Sequence, residues 1–335
     1  MCSSRVPSRR LLLTGASGFV GSHVLRRLVA SGADVVAVHN RELDASLRRE
    51  FADRVHWTRV DLTGDVPAEL LRDVHAVLHV AGYASMSQEA VEVERMERLN
   101  VKATRRLVSL SKQVGVRQFL YVSSIAACEI GAGPVIDEVS GAPRTAYGRS
   151  KRDAESEVLA CGDSGFAVTV LRPTALFGEH HLGSVYELVR TIDRGRFFLI
   201  GDGSNRTNFY YVQDFVEALL AALDNPAAYG QTFIASDEPR PLRALVHDIQ
   251  VALGAKRAVR RLPLSFGLAA GALCDAISKV TGKALPLSSA RVRAMTRDCA
   301  YVNDKLRTTL GVVPRIGITA GLRKSIEWYR EAGLL

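Results

Sequence analysis

The sequence predicts an α/β fold, a doubly wound parallel sheet covered by helices on both faces, followed by a smaller lobe. Three observations carry this. Short apolar runs alternate with helical periodicity through the first half of the chain. A glycine-rich turn, Thr14-Gly15-Ala16-Ser17-Gly18-Phe19-Val20-Gly21, joins the first apolar run to the first helical pattern. After about Pro173 the alternation breaks and the loops lengthen.

Residues 1–9 are polar and read as a flexible tail. Strands are expected at Leu11–Thr14, Asp34–His39, Val55–Arg59, Ala76–Val80, Phe119–Ser123 and Ala167–Arg172. Helices are expected at Phe19–Ser31, Val91–Val114 and Ala146–Ala160. Strand–helix alternation of this kind builds a parallel sheet with both faces covered, here over residues 10–172. Residues 173–335 read as a substrate lobe interleaved with the end of the sheet. It has helical patterns at Val185–Arg194, Asp214–Leu223, Arg240–Leu253 and Gly321–Ala332, and short strands near Tyr210–Val212 and Thr232–Ile234.

Composition narrows the function. The chain has 335 residues, is 47% hydrophobic and carries a formal charge of +9, mostly as arginine. That supports a sizeable core and a field that favours anionic, phosphorylated ligands. No aromatic-rich basic cluster or zinc-ligand spacing accompanies the charge, so no nucleic acid and no metal is expected. The five cysteines are scattered and odd in number, which points to reduced thiols in a cytoplasmic protein. Phe266–Val280 is apolar but interrupted by Asp275 and Lys279, and is read as too short to span a bilayer, with peripheral contact left open.

The glycine turn reads as a dinucleotide cradle, with a turn needed only for packing as the alternative. Gly15, Gly18 and Gly21 permit a tight turn and close backbone approach, and the helix that follows offers free amides to a pyrophosphate around Ser17, Phe19 and Val20. At the end of the second strand an NAD site carries an acidic residue for the ribose. Here Asn40 and Arg41 come first and Glu42 follows. An arginine there suits a 2′-phosphate, so NADP(H) is favoured, with NAD(H) as the alternative through Glu42. Asp61 and Leu62 stand where an adenine edge would lie; a turn cap is the other role open to Asp61. Tyr147 and Lys151, four apart on a helix, share one face and read as an acid/base pair in which the cation lowers the phenol pKa.

With these motifs, and with His79-Val80-Ala81-Gly82, Asn100-Val101-x-x-Thr104, Tyr121-Val122-Ser123-Ser124 and Leu171-Arg172-Pro173, the chain resembles the extended short-chain dehydrogenase/reductase family, also called the NAD-dependent epimerase/dehydratase family. The resemblance implies a Rossmann-type sheet. It implies that Ser124 binds the substrate oxygen, with Ser123 as the neighbouring alternative. Tyr147 would move that oxygen's proton, and Lys151 would hold the nicotinamide ribose. Ala81, Gly82, Asn100 and Pro173 would line the cofactor, and Thr174 the substrate. The segments 195–205 and 209–214, with the C-terminal Leu262–Lys283 region and Trp328-Tyr329-Arg330, are similar to the 3β-hydroxysteroid dehydrogenase-like branch. The expected activity is interconversion of a secondary alcohol and a ketone on a bulky, partly hydrophobic substrate. A sugar-nucleotide 4-epimerase or 4-ketoreductase is the alternative. Arg206 is expected to bind an anionic substrate group, as is Asn208, for which loop capping is the other role. The resemblance also allows a homodimer through the helices at Val91–Val114 and Ala146–Ala160.

Overall fold

A computed structural model describes residues 9–40, 42–85, 87–128, 143–255, 259–281 and 288–335. The expected tail lies outside these apart from Arg9, whose guanidinium pairs with Asp224 at 3.3 Å.

Seven strands form the central sheet: β1 (Arg10–Thr14), β2 (Asp34–His39), β3 (His56–Arg59), β4 (Val74–His79), β5 (Gln118–Val122), β6 (Ala167–Pro173) and β11 (Gln231–Ala235). Their order is β11-β6-β5-β4-β1-β2-β3 and every neighbouring pair is parallel. The chain winds outward in one direction from β1 to β3 and in the other from β4, so the connections diverge at β1 and β4. That divergence opens a crevice at the carboxyl ends of these strands.

The pleat explains the double layering. Leu11 and Leu13 of β1 join a core beneath α1 (Phe19–Ala30), with Val24, Leu25 and Leu28. Leu12 points the other way, into a core with Leu107, Val108, Ala154 and Val158. The latter come from α4 (Ala103–Gln113) and α5 (Ala146–Cys161). With both faces buried, β1, β4 and β5 read as nearly unbroken apolar runs.

The helix expected at Val91–Val114 is not uniform. It consists of α3 (Ala90–Met96), a π-helical turn at Glu97–Lys102, and α4. Such turns mark functional positions, and this one contains Asn100. Sequence periodicity also passes over α2 (Ala45–Phe51), which is short and mostly exposed.

The second half has its own core, with Phe177, Val189, Tyr211, Leu245, Leu322 and Tyr329 buried together. It gathers α6 (Ser184–Asp193), α8 (Leu242–Leu253) and α12 (Gly317–Glu331), with Val212 at the start of α7 (Val212–Ala221), whose Phe215, Val216 and Leu219 face the core beneath α1. Three small strand pairs tie the loops. β7 (Ala175–Phe177) runs parallel to β10 (Phe209–Tyr211). β8 (Phe198–Ile200) runs parallel to β13 (Arg260–Leu262). β9 (Arg206–Thr207) is antiparallel to β12 (Arg240–Pro241). The apolar stretch expected at Phe266–Val280 is a longer helix, α9 (Leu264–Thr281). At 18 residues and a mean hydropathy of 1.2 it is long and apolar enough to cross a membrane by length and composition, which corrects the shorter expectation. It packs on α10 (Ser289–Thr296), and α11 (Asp304–Leu310) leads towards α12.

Candidate active site

The glycine turn follows β1 and opens α1 at the divergence of the sheet. Gly15 has φ +69, and a Cβ there would stand 2.8 Å from the Ala81 amide nitrogen. A Cβ on Gly21 would meet the Gly15 carbonyl oxygen at 2.0 Å. Both positions therefore require glycine. No carboxylate of the first turn of α1 competes for its amides, which leaves them to an anion. Thr14 couples this turn to the end of β4. Its hydroxyl accepts from the Val80 and Ala81 amides at 3.2 Å and bonds His79 Nδ1 at 2.7 Å. His79 Nε2 meets Thr104 Oγ1 at 2.9 Å, and burial drives the imidazole pKa down to about 3. His79 is thus a neutral structural link.

Ser124 leaves β5 and caps a single helical turn, accepting from the Ala126 amide at 3.2 Å. Thr145 caps α5 by accepting from the Gly148 amide at 2.9 Å. A Cβ on Gly148 would come 2.2 Å from the Ala126 carbonyl oxygen. The bare backbone at Gly148 lets the start of α5 press on the turn after Ser124. Tyr147 is consequently brought to Ser124: burial raises the phenol pKa, and the interaction with the Ser124 hydroxyl offsets this only in part.

Lys151, buried in the second turn of α5, donates to the Val122 carbonyl at 3.0 Å and to the Tyr121 hydroxyl at 3.2 Å. Burial lowers its pKa to about 8, and the carboxylate of Glu155 works against that. The lowering of Tyr147 expected from Lys151 is therefore not what the structure shows. Desolvation of the phenol sets the direction, and the ammonium is anchored on β5. Tyr121, which holds the ammonium, carried no chemical signal in the sequence beyond a buried strand position.

Asn100 fixes this arrangement from the π-helical turn. Its Oδ1 accepts from the Tyr83 amide at 2.8 Å; its Nδ2 donates to the Tyr83 carbonyl at 2.8 Å and to Ser150 Oγ at 2.9 Å. Ser150 donates in turn to the Tyr147 carbonyl at 2.8 Å. Gly82 closes the ring, since a Cβ there would stand 3.2 Å from Lys151 Nζ and 3.4 Å from Asn100 Oδ1. Asn100→Asp would place an acceptor where two acceptors already wait. It is expected to destabilise the protein by about 1–3 kcal/mol, read by urea denaturation; an unchanged midpoint would reject the positioning role. Ser123 is buried beside this group, and its hydroxyl has no hydrogen-bond partner among the described residues.

At the far end of the crevice Arg41 lies outside the described residues. The last residue of β2 is His39, buried with its ring edge-on to Trp57 at 5.9 Å. Asn40 is exposed, and its carbonyl accepts from Arg59 Nε at 3.2 Å. An open cleft here is lined by His39, Leu43, Arg48, Ala52, Asp53, Trp57 and Arg59. Arg48 and Arg59 escaped sequence reasoning because they come from α2 and β3, brought together only by the fold. Asp61 caps its turn through Oδ1, which accepts from the Thr63 amide and hydroxyl at 2.9 and 2.8 Å. Leu62 beside it is buried.

In the second half, Pro173 ends β6 opposite Ala235, and Thr174 is buried with its amide on the Ala235 carbonyl at 3.0 Å. Arg206 is already engaged. Its guanidinium grips Asp298, with Nη2 at 2.6 Å from Oδ2. Asn208 is buried and accepts from the Tyr301 amide at 2.8 Å while donating to Ser236 Oγ and to the Asp237 and Tyr301 carbonyls. Both residues hold the segment 298–301 in place.

A model of the NAD-dependent epimerase/dehydratase family matches residues 11–234. The chain is 28% identical over 332 residues, 95% of its length and 94% of the relative's, to N-acetyl-alpha-D-glucosaminyl-diphospho-ditrans,octacis-undecaprenol 4-epimerase of Escherichia coli O157:H7. It is also 28% identical over 346 residues, 96% of its length and 98% of the relative's, to the decarboxylating sterol-4-alpha-carboxylate 3-dehydrogenase of Saccharomyces cerevisiae. Among solved structures, UDP-glucuronic acid 4-epimerase from Bacillus cereus in complex with NAD shares the fold. Its TM-score is 0.76 over 96% of this chain and 99% of that one, at 17% identity. Family match, full-length relatives and a dinucleotide cradle at the sheet's divergence agree: the chain is an enzyme of the NAD-dependent epimerase/dehydratase family, the extended short-chain dehydrogenases/reductases.

Proposed function

We propose that this enzyme is an NADP(H)-preferring oxidoreductase that interconverts a secondary alcohol and a ketone on a bulky, partly hydrophobic substrate. The observation that carries it is the close packing of the start of α5 on the turn after Ser124, which brings Tyr147 to Ser124, with Lys151 buried one helical turn further on. The residues present fit a dinucleotide. The cradle excludes side chains at Gly15 and Gly21 and is tight at Gly18, with Ser17, Phe19 and Val20 at the pyrophosphate end. Ala81, Gly82, Asn100 and Pro173 border the place of the nicotinamide half, and Asp61 and Leu62 that of the adenine. The bound nicotinamide supplies or takes the hydride at the substrate carbon. In the direction of reduction, Ser124 donates a hydrogen bond to the carbonyl oxygen and Tyr147 passes its proton to that oxygen. Lys151 holds the ribose hydroxyls and keeps a positive charge beside the phenolate that remains. Ser123 and Thr174 border the substrate. Incubating the purified protein with NADPH and a panel of bulky ketones tests this; cofactor consumption with none of them would count against the reading.

The preference for NADP(H) rests on His39 in place of a carboxylate at the end of β2, on Arg41 in the sequence, and on Arg48 and Arg59 in the adjoining cleft. Arg48→Ala with Arg59→Ala is expected to weaken NADPH binding roughly tenfold or more, the worth of one charge-assisted hydrogen bond, and to leave NADH binding unchanged. Titration of intrinsic fluorescence reads both. Equal losses for the two cofactors would reject the 2′-phosphate role.

A second reading is 4-epimerisation of a sugar carried on a diphospho-lipid. It is favoured by the relative from Escherichia coli O157:H7, whose named substrate is of that kind and which aligns along nearly the whole chain. An epimerase recycles its dinucleotide, so a tightly retained cofactor with no net consumption during turnover would select this reading.

A further inference from the structure

α9 has two faces of opposite character. Gly267 and Gly271 form its buried stripe. A Cβ at 267 would stand 2.8 Å from Ile200 Cγ2, and one at 271 would stand 2.7 Å from the Ser289 amide. The helix is therefore pressed against β8 and the start of α10. On the far side lie Phe266, Leu273, Ile277 and Val280, exposed by 60%, 63%, 41% and 88%. Their spacings of seven, four and three residues place all four in one narrow stripe. Asp275 does not break it, because its carboxylate is turned towards α10 and accepts from the Ser289 amide at 3.1 Å and from its hydroxyl.

The charge around this stripe is one-sided. Residues 256–297 contain nine Lys or Arg and one Asp, a net of +8, in a chain whose total is +9. Among the described residues, Arg260 and Arg261 on β13, Lys279 on α9 and Arg293 on α10 are exposed. Water does not call for four large apolar side chains in a row, and a patch of this kind marks a docking surface. A second copy of the chain would bring the same exposed cations, Arg260, Arg261, Lys279 and Arg293, to the contact and be repelled. An anionic lipid surface answers both features: apolar depth for the stripe and phosphates for the flanking cations.

We propose that α9 docks flat on an anionic phospholipid bilayer. Phe266, Leu273, Ile277 and Val280 enter the boundary between headgroups and acyl chains, and the flanking arginines and lysine meet the lipid phosphates. The glycine stripe keeps the helix on the protein, so it lies in the interface and does not cross it. The same unit is joined to the site wall. Beyond α10 the chain reaches Cys299, whose amide donates to the Arg206 carbonyl at 2.9 Å, and Tyr301, which packs with Ile125 next to Ser124.

The test is co-sedimentation of the full chain with vesicles of phosphatidylcholine alone or mixed with phosphatidylglycerol. Binding is expected to the mixed vesicles, to weaken as salt is raised, and to fall roughly tenfold or more in Leu273→Glu/Ile277→Glu and in Arg260→Glu/Arg261→Glu. Circular dichroism checks that the variants are folded; the substituted side chains are exposed or, at Ile277, outward-facing. Failure of the parent chain to bind the mixed vesicles would overturn the proposal. So would Leu273→Glu/Ile277→Glu binding as tightly as the parent. Light scattering that shows this variant turning a dimer into a monomer, with vesicle binding unchanged, would assign the stripe to a second copy. None of these readouts depends on turnover, so the proposal can fail while the oxidoreductase reading stands.

Discussion

Tyr147→Phe is expected to lower kcat for ketone reduction by about 10²–10⁴, the usual worth of a positioned general acid, with NADPH binding unchanged. The environment of Tyr147 also sets the direction of its pH dependence. Burial raises the phenol pKa above its ordinary value and the interaction with Ser124 only partly offsets this. At neutral pH the group therefore carries its proton, which is the form needed for reduction and the wrong form for oxidation of the alcohol. In the oxidative direction kcat/KM should climb about tenfold per pH unit, because one proton must leave the free enzyme first. In the reductive direction it should be level around neutrality. It should then decline above about 8, where Lys151 loses the charge that stabilises the phenolate. Lys151→Arg would abolish that decline, since a guanidinium stays charged throughout. Phenylalanine at 147 with undiminished kcat, or identical profiles in the two directions, would remove Tyr147 from the acid–base role.

Much of this site is legible in the sequence because it is local. The cradle occupies eight consecutive residues, and Tyr147 and Lys151 share one helix face, so spacing alone presents them together. The double winding follows from apolar runs that must be covered on both faces, as Leu11 to Leu13 are. What spacing does not show depends on distant parts of the chain. Arg48 and Arg59 meet at a cleft only because α2 and β3 flank the same strand end. The π-helical turn at Asn100 is set by tertiary bonds to Tyr83 and Ser150, and no residue in it breaks the helical pattern. The ion pair of Arg206 is equally hidden, because its partner Asp298 is 92 residues away. The direction of the Tyr147 pKa is a matter of desolvation, which the pairing of Tyr with Lys in sequence does not reveal.

The same blindness covers the ion pair that supports Lys151. Arg172 at the end of β6 forks onto Glu155 of α5, Nε to Oε1 at 2.9 Å and Nη2 to Oε2 at 2.7 Å, with side chains only 9% and 2% exposed. Arg172 also donates to Cys128 Sγ at 3.3 Å. A buried pair gains little over an apolar replacement, but losing Arg172 leaves the Glu155 carboxylate only the longer contact with Arg152 at 3.9 Å. Arg172→Leu is therefore expected to destabilise the protein by about 3–5 kcal/mol, a fall in Tm on the order of 10 °C for a chain of this size. Glu155→Leu with Arg172→Leu should recover much of that loss, because no buried charge is left behind. Calorimetry on the single and double variants measures the difference, and losses that simply add would exclude the pairing account. The pair also reaches the chemistry. The Glu155 carboxylate raises the Lys151 pKa against desolvation, so Glu155→Gln should lower it and move the alkaline decline of ketone reduction to lower pH. An unmoved decline would place Glu155 in the fold alone. A shifted one would make the buried pair of β6 and α5 the device that keeps Lys151 charged at neutral pH.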